Sequence, residues 1–189
     1  MRRSSLVSVA TLLAVSLAVT IFIARPGSMP PKEDDKEFVE QMIPHHHLGM
    51  RLIDEATLNS QDVRLRRLVF EMGSYHGTEA ATLEAWADQW ALTPSETFPG
   101  ALPESEIERL AISKSINHDI QWLAAMIRHH EGALVISEKG RDGRITQSMA
   151  ATIWRIQQQQ IEEKRDLLND LCQAEDASPE CSEVLAETF

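Results

Sequence analysis

The feature that most constrains this chain is a repeat. MIPHHHLGM (residues 42–50) and MIRHHEGAL (residues 126–134) share Met-Ile-x-His-His at an offset of 84 positions. At the same offset Asp35 falls on Asp119, Phe38 on Trp122, Val39 on Leu123 and Met42 on Met126. Ile43 then falls on Ile127, His45 on His129 and His46 on His130. A weaker match at 81 sets Val69 on Ala150, Met72 on Ile153, His76 on Gln157 and Glu79 on Gln160. Apolar residues recur at steps of three and four through all four segments, so each is a helix. Two similar helical hairpins that bury their apolar faces against each other make a four-helix bundle with approximate two-fold symmetry.

The expected fold is therefore all-α, built from repeats over about 35–91 and 117–172. The main helices are expected over 35–59, 62–90, 117–139 and 146–172, with Thr146 as an N-cap and GRDG (140–143) as the stop of the third. A loop with Pro94, Pro99, Gly100 and Pro103 joins the halves, and Pro103 opens a short helix. The tail 173–189 adds a turn or two. With only 5% aromatic residues, strand-like runs are almost missing. The net charge of −11 excludes a nucleic-acid surface, which needs a basic footprint, and favours cations.

Ahead of this domain, residues 6–24 run without a charge behind Arg2 and Arg3. Nineteen residues at ~1.5 Å each approach the ~30 Å hydrocarbon core, so 1–24 is expected to be an N-terminal hydrophobic helix. The residues before Arg25 form a poor cleavage site, which favours a membrane anchor with the domain on the extracytoplasmic side; a cleaved signal and a secreted domain are the alternative. Residues 25–34 are a Pro-rich linker. In an exported protein Cys172 and Cys181 are expected to form a disulfide. The oligomeric state is left open, a homo-oligomer included.

Helical spacing divides the histidines. Phe38, Met42, His45, Gly49, Leu52 and Ala56 form one stripe; Val39, Ile43, His46, Met50, Ile53 and Thr57 form the next. His47 belongs to a solvated stripe with Glu40, Arg51 and Asp54. The third helix repeats the pattern through His129 and His130. The second helix carries His76 and Glu79 in an apolar seam, and the fourth answers with Ile153, Gln157, Gln160 and Leu167. Each hairpin is thus expected to bury its own polar layer. An unpartnered buried polar group costs about 1–3 kcal/mol, so such a layer needs mutual hydrogen bonds, water or a metal.

Met42, Met72 and Met126 each lie one turn from a histidine of the layer. Thioether with imidazole is a soft donor set suited to copper. The candidate ligands are Met42, His45, His46, Met72, His76, Glu79, Met126, His129 and His130. Zinc is the lesser alternative, through His45, His46, His76 and Glu79. A di-iron centre needs Glu-x-x-His on two helices, and this chain has only the reversed His76-x-x-Glu79. No nucleophile or phosphate loop accompanies that pair, so an enzyme is not expected. The rival to metal binding is a helical interaction module whose His/Glu/Gln layer only fixes helix register.

Asp-x-x-Phe-x-x-x-Met-Ile-Pro-His-His (35–46) and Asp-x-x-Trp-x-x-x-Met-Ile-Arg-His-His (119–130) resemble the duplicated signature of the family called domain of unknown function 305. The resemblance covers about residues 35–170. It implies an exported ferritin-like helical bundle and copper binding in the periplasm or at the outer face of a membrane, for sequestration, resistance or trafficking. The positions that match are Met42, His45, His46, Met126, His129 and His130. His76 stands where the family's second helix resembles a glutamine position, and Gln160 replaces a glutamate.

Overall fold

The computed structural model describes residues 29–173 and 181–188. The hydrophobic segment 1–24 and residues 25–28 of the 25–34 linker lie outside the described residues. Among the described residues there is no strand, and no helix is long and apolar enough to cross a membrane.

From Pro31 onward the described residues form one compact unit. Four long helices dominate it: α1 (Glu33–Asn59), α2 (Val63–Trp90), α4 (Ser115–Asp142) and α5 (Gln147–Gln173). The short helix α3 (Glu104–Ile112) lies between the halves, and α6 (Cys181–Thr188) follows α5. Helix α1 packs on α2 and on α4, and α4 packs on α5. Between α2 and α5 a groove of about 320 Å³ remains, crossed by the Arg64–Asp170 ion pair at 3.1 Å.

Sequence explains most of the boundaries. Three acidic residues in the first turn of α1 face its positive dipole end. Asp62 caps α2, accepting from Arg64 N at 2.7 Å and Leu65 N at 3.2 Å. The third main helix is longer than expected, from Ser115 to Asp142 rather than 117 to 139. Gly140 does not end it. A Cβ there would collide with Phe38 of α1 and Ala150 of α5, so this glycine serves close helix approach. Thr146 does sit just ahead of α5, but its hydroxyl turns to Asp35 Oδ1 (3.1 Å) and the Gly140 carbonyl (2.9 Å).

The aspartate that opens each repeat ties down the other hairpin. Asp35 Oδ1, on α1, accepts from Ile145 N (2.7 Å) and Thr146 N (2.9 Å) in the α4–α5 turn. Asp119, on α4, accepts from Asp62 N (3.2 Å) in the α1–α2 turn. Burial alone would raise the Asp35 pKa; the backbone N–H groups of Thr146, Ile145, Lys32 and Arg144 outweigh it and hold the carboxyl below its usual value. Trp122 adds a second tie across α4 and α1, donating from Nε1 to the Leu52 carbonyl at 2.7 Å. The expected disulfide is present: Cys172 and Cys181 join the end of α5 to α6.

Candidate metal centre

The apolar interior falls into two clusters. One holds Phe38, Val39, Met42, Leu83 and Ile153; the other holds Leu52, Leu65, Met72, Trp122 and Met126. The polar residues of all four long helices meet in one layer, not one layer per hairpin as the repeat led us to expect. Helices α1 and α4 pack directly, and His45 stacks on His129 with ring centroids 3.8 Å apart and planes 14° apart. Five imidazoles form a closed circuit: His46 to His45 (6.0 Å), His45 to His129, His129 to His130 (6.1 Å), His130 to His76 (6.0 Å) and His76 to His46 (4.9 Å). All five side chains are buried.

Hydrogen-bond partners set the tautomers. A ring nitrogen facing a carbonyl oxygen must carry the proton. His45 donates from Nε2 to the His129 carbonyl (2.9 Å), His76 from Nδ1 to the Met72 carbonyl (3.2 Å), and His129 from Nδ1 to the Gly100 carbonyl (3.1 Å). His130 donates from Nε2 to Gln160 Oε1 (2.7 Å). The other nitrogen of each ring, His45 Nδ1, His76 Nε2, His129 Nε2 and His130 Nδ1, is buried without a protein partner. Burial pushes the pKa of His45, His76 and His130 well below the ordinary histidine value and that of His129 down to about 4. These rings are therefore neutral at physiological pH, and each keeps an unshared lone pair in the interior.

Two of these nitrogens lie near one point. A Cβ built on Gly49 would lie 3.0 Å from His129 Nε2 and 3.1 Å from His76 Nε2. Because Gly49 has no side chain, both nitrogens border one small space, His76 with its Cδ2–Nε2 side. His46 differs: it donates from Nδ1 to the Met42 carbonyl (3.1 Å), and a single proton bonds its Nε2 to Glu79 Oε2 (2.9 Å). His46 and Glu79 thus satisfy each other. Met42, Met72 and Met126 are buried in the flanking apolar clusters. His47 is exposed and pairs with Glu84 at 2.8 Å, in keeping with its solvated stripe.

Sequence reasoning missed Lys164. It is wholly buried, with Nζ 3.3 Å from the Gln160 carbonyl and 3.4 Å from His130 Nε2. Burial pushes its pKa down to about 7. Its position, four residues after Gln160 and seven after Gln157, was the available signal. Both amide atoms of Gln157 are also buried without a protein partner. Phe98, from the connection between the halves, meets His45 edge-on at 5.9 Å. Among the described residues, no three His, Cys, Asp or Glu side chains already stand around a common point as a metal would require. What the layer offers is four free imidazole nitrogens, two of them beside one small space at Gly49.

No curated protein matches the sequence. Among solved structures, a DUF305 fragment from Deinococcus radiodurans is 24% identical, covering 76% of this chain and all of that one, with a TM-score of 0.69. A DUF305 protein from Streptomyces coelicolor is 20% identical over 72% of this chain and 91% of its own, with a TM-score of 0.68. CopM in its Cu(I)-bound form is 19% identical over 72% and 96%, with a TM-score of 0.63. At these identities the likeness is one of fold. The model for Domain of unknown function (DUF305) matches residues 35–171, and with that match over most of its length the chain belongs to this family.

Proposed function

We propose that this protein is a non-enzymatic copper-binding protein whose site is the single histidine layer of a ferritin-like four-helix bundle, spanning about residues 35–172. The observation that carries the reading is the set of four buried imidazole nitrogens without partners. Metal-ligating histidines characteristically donate one N–H to an oxygen and keep the other nitrogen free, the state of His45, His76, His129 and His130. His76 and His129 would hold the ion first, since their free nitrogens share the space over Gly49. His45 and His130 would complete the donor set. Imidazole suits copper, and zinc and nickel also. Copper is preferred because CopM, a structural neighbour, is known in Cu(I)- and Cu(II)-bound forms. Bound metal supplies a positive charge that the neutral rings can share without losing a proton.

The uncharged segment 6–24 supports export, with the domain anchored outside the cytoplasmic membrane or released by cleavage. Sequestration or delivery of copper in that compartment is the role this implies.

A second reading has support of its own: the His46–Glu79 and His130–Gln160 bonds and the His45 bond to the His129 carbonyl all link helices, as a register-fixing network would. That reading leaves four unshared nitrogens at a cost of about 1–3 kcal/mol each. Titration of the purified protein with Cu(I) against a chromogenic chelator separates the two. The metal reading expects stoichiometric binding that is lost when His45, His76, His129 and His130 are all replaced. Equal affinity in that variant, or no binding in the parent, overturns it.

A further inference from the structure

The connection between the halves, residues 91–103, leaves α2 at Ala91, a residue in the left-handed region (φ 53°), and crosses over α1 and α4. Two points fix it to the bundle. Ser95 N donates to the Glu40 carbonyl at 2.8 Å, and the Gly100 carbonyl accepts from His129 Nδ1 at 3.1 Å. Between them Phe98 covers His45.

Each point coincides with a departure between the two copies of the motif. Helix α1 has Pro44 where α4 has Arg128. Proline has no N–H, so the Glu40 carbonyl one turn back loses its helical donor and is left for Ser95. Helix α4 has Gly132 where α1 has Leu48. A Cβ on Gly132 would run into Gly100 N and Cα and the Pro99 carbonyl carbon. Gly100 itself has φ 79°, and a Cβ there would stand 2.6 Å from the His129 carbonyl oxygen. Backbone meets backbone at this contact, with no side chain between.

We infer that the 91–103 strap is a wall of the histidine layer, and that Gly132 is a positioning residue: by letting the Gly100 carbonyl reach His129, it holds that ring as the Nδ1–H tautomer and leaves Nε2 free over Gly49. The opposite tautomer would put a proton into the space shared with His76 Nε2. The placement of the His129 lone pair rests on the contacts above; only its consequence for copper rests on the metal-binding reading.

Side-chain nitrogen-15 spectroscopy of the metal-free protein tests the placement. In the parent, His129 is expected with a protonated Nδ1 and a bare Nε2. Gly132→Ala is expected to lift the strap, release the Gly100 contact and move His129 toward the Nε2–H form. Pro44→Ala adds no bulk at α4 but returns a helical donor to the Glu40 carbonyl. It is expected to loosen Ser95 and shift the same tautomer balance in the same direction, which keeps the test open if Gly132→Ala folds poorly. An Nε2–H His129 in the parent, or an unchanged tautomer in the folded variants, overturns the inference. Copper titration is read alongside, with affinity in Gly132→Ala expected to drop about tenfold or more, the usual scale for a lost partner of a ligand histidine. A parent that shows the tautomer but takes up no copper overturns the copper reading alone.

Discussion

A methyl group at position 49 would stand 2.8 Å from His76 Cδ2 and 3.0 Å from His129 Nε2, closer than carbon atoms are tolerated without movement. Gly49→Ala should therefore close the space between the two free nitrogens. Alanine also favours the helix by roughly 0.5–1 kcal/mol over glycine, which opposes the cost of pushing the rings apart. The expected outcome is a folded protein whose copper affinity, measured by chelator competition, drops about tenfold or more. Lys164 makes the opposite case. Its folded pKa of about 7 lies below its ordinary 10.5, so the unfolded chain holds the extra proton between those values. The cost of burying it is complete below pH 7 and fades as pH rises toward 10.5. Lys164→Leu, which copies Leu83 at the aligned position of the first repeat, should raise Tm by several degrees at pH 6.5 and by much less at pH 10. Thermal denaturation at the two pH values checks this. Lys164 was passed over in the sequence because a lysine between Gln160 and Leu167 looks like a gap in the inner stripe. Nothing in the periodicity tells a buried lysine from one whose stem lies along the surface.

Helix faces were legible because the steps of three and four are unusually regular. Phe38, Met42, His45, Gly49, Leu52 and Ala56 all prove buried, as do Trp122, Met126, His129, Ala133 and Ile136. Periodicity carries no information about height, however. Whether the histidines of α1 and α4 form one layer or two depends on how far one helix slides along the other. The Asp35 and Asp119 ties at the hairpin turns set that slide. Asp35→Ala should free the α4–α5 turn and leave the N–H groups of Ile145 and Thr146 without an acceptor. A loss of about 2 kcal/mol is expected in urea denaturation, the upper range for removing a capping carboxylate. The strap was equally illegible. Pro44 and Gly132 look like casual departures between two copies of a motif until the path of residues 91–103 shows what rests on them.

Taken whole, the domain buries four neutral imidazoles in a chain of otherwise ordinary helical packing. Above pH 6.5 these rings are neutral in both the folded and unfolded states. Below it the unfolded chain takes up protons that the folded one refuses, down to about pH 4 for His129, so stability falls as pH falls. Urea denaturation at several pH values should show unfolding coupled to the uptake of about three protons at pH 6, rising towards about four at pH 5. A dependence of one proton or none would mean that the rings are charged or solvent-exposed in the native state. Copper should offset the loss, because a ligand confined to the native state stabilises it by mass action. The soft donor set expected from sequence included Met42, Met72 and Met126, whereas the structure packs these side chains in apolar clusters on either side of the imidazoles. X-ray absorption at the copper edge of the loaded protein tests the central claim most directly. The account predicts a first shell of nitrogen with the outer scattering of imidazole rings, reduced when His76 and His129 are replaced. A shell dominated by thioether sulfur, or one unchanged by those replacements, would contradict it.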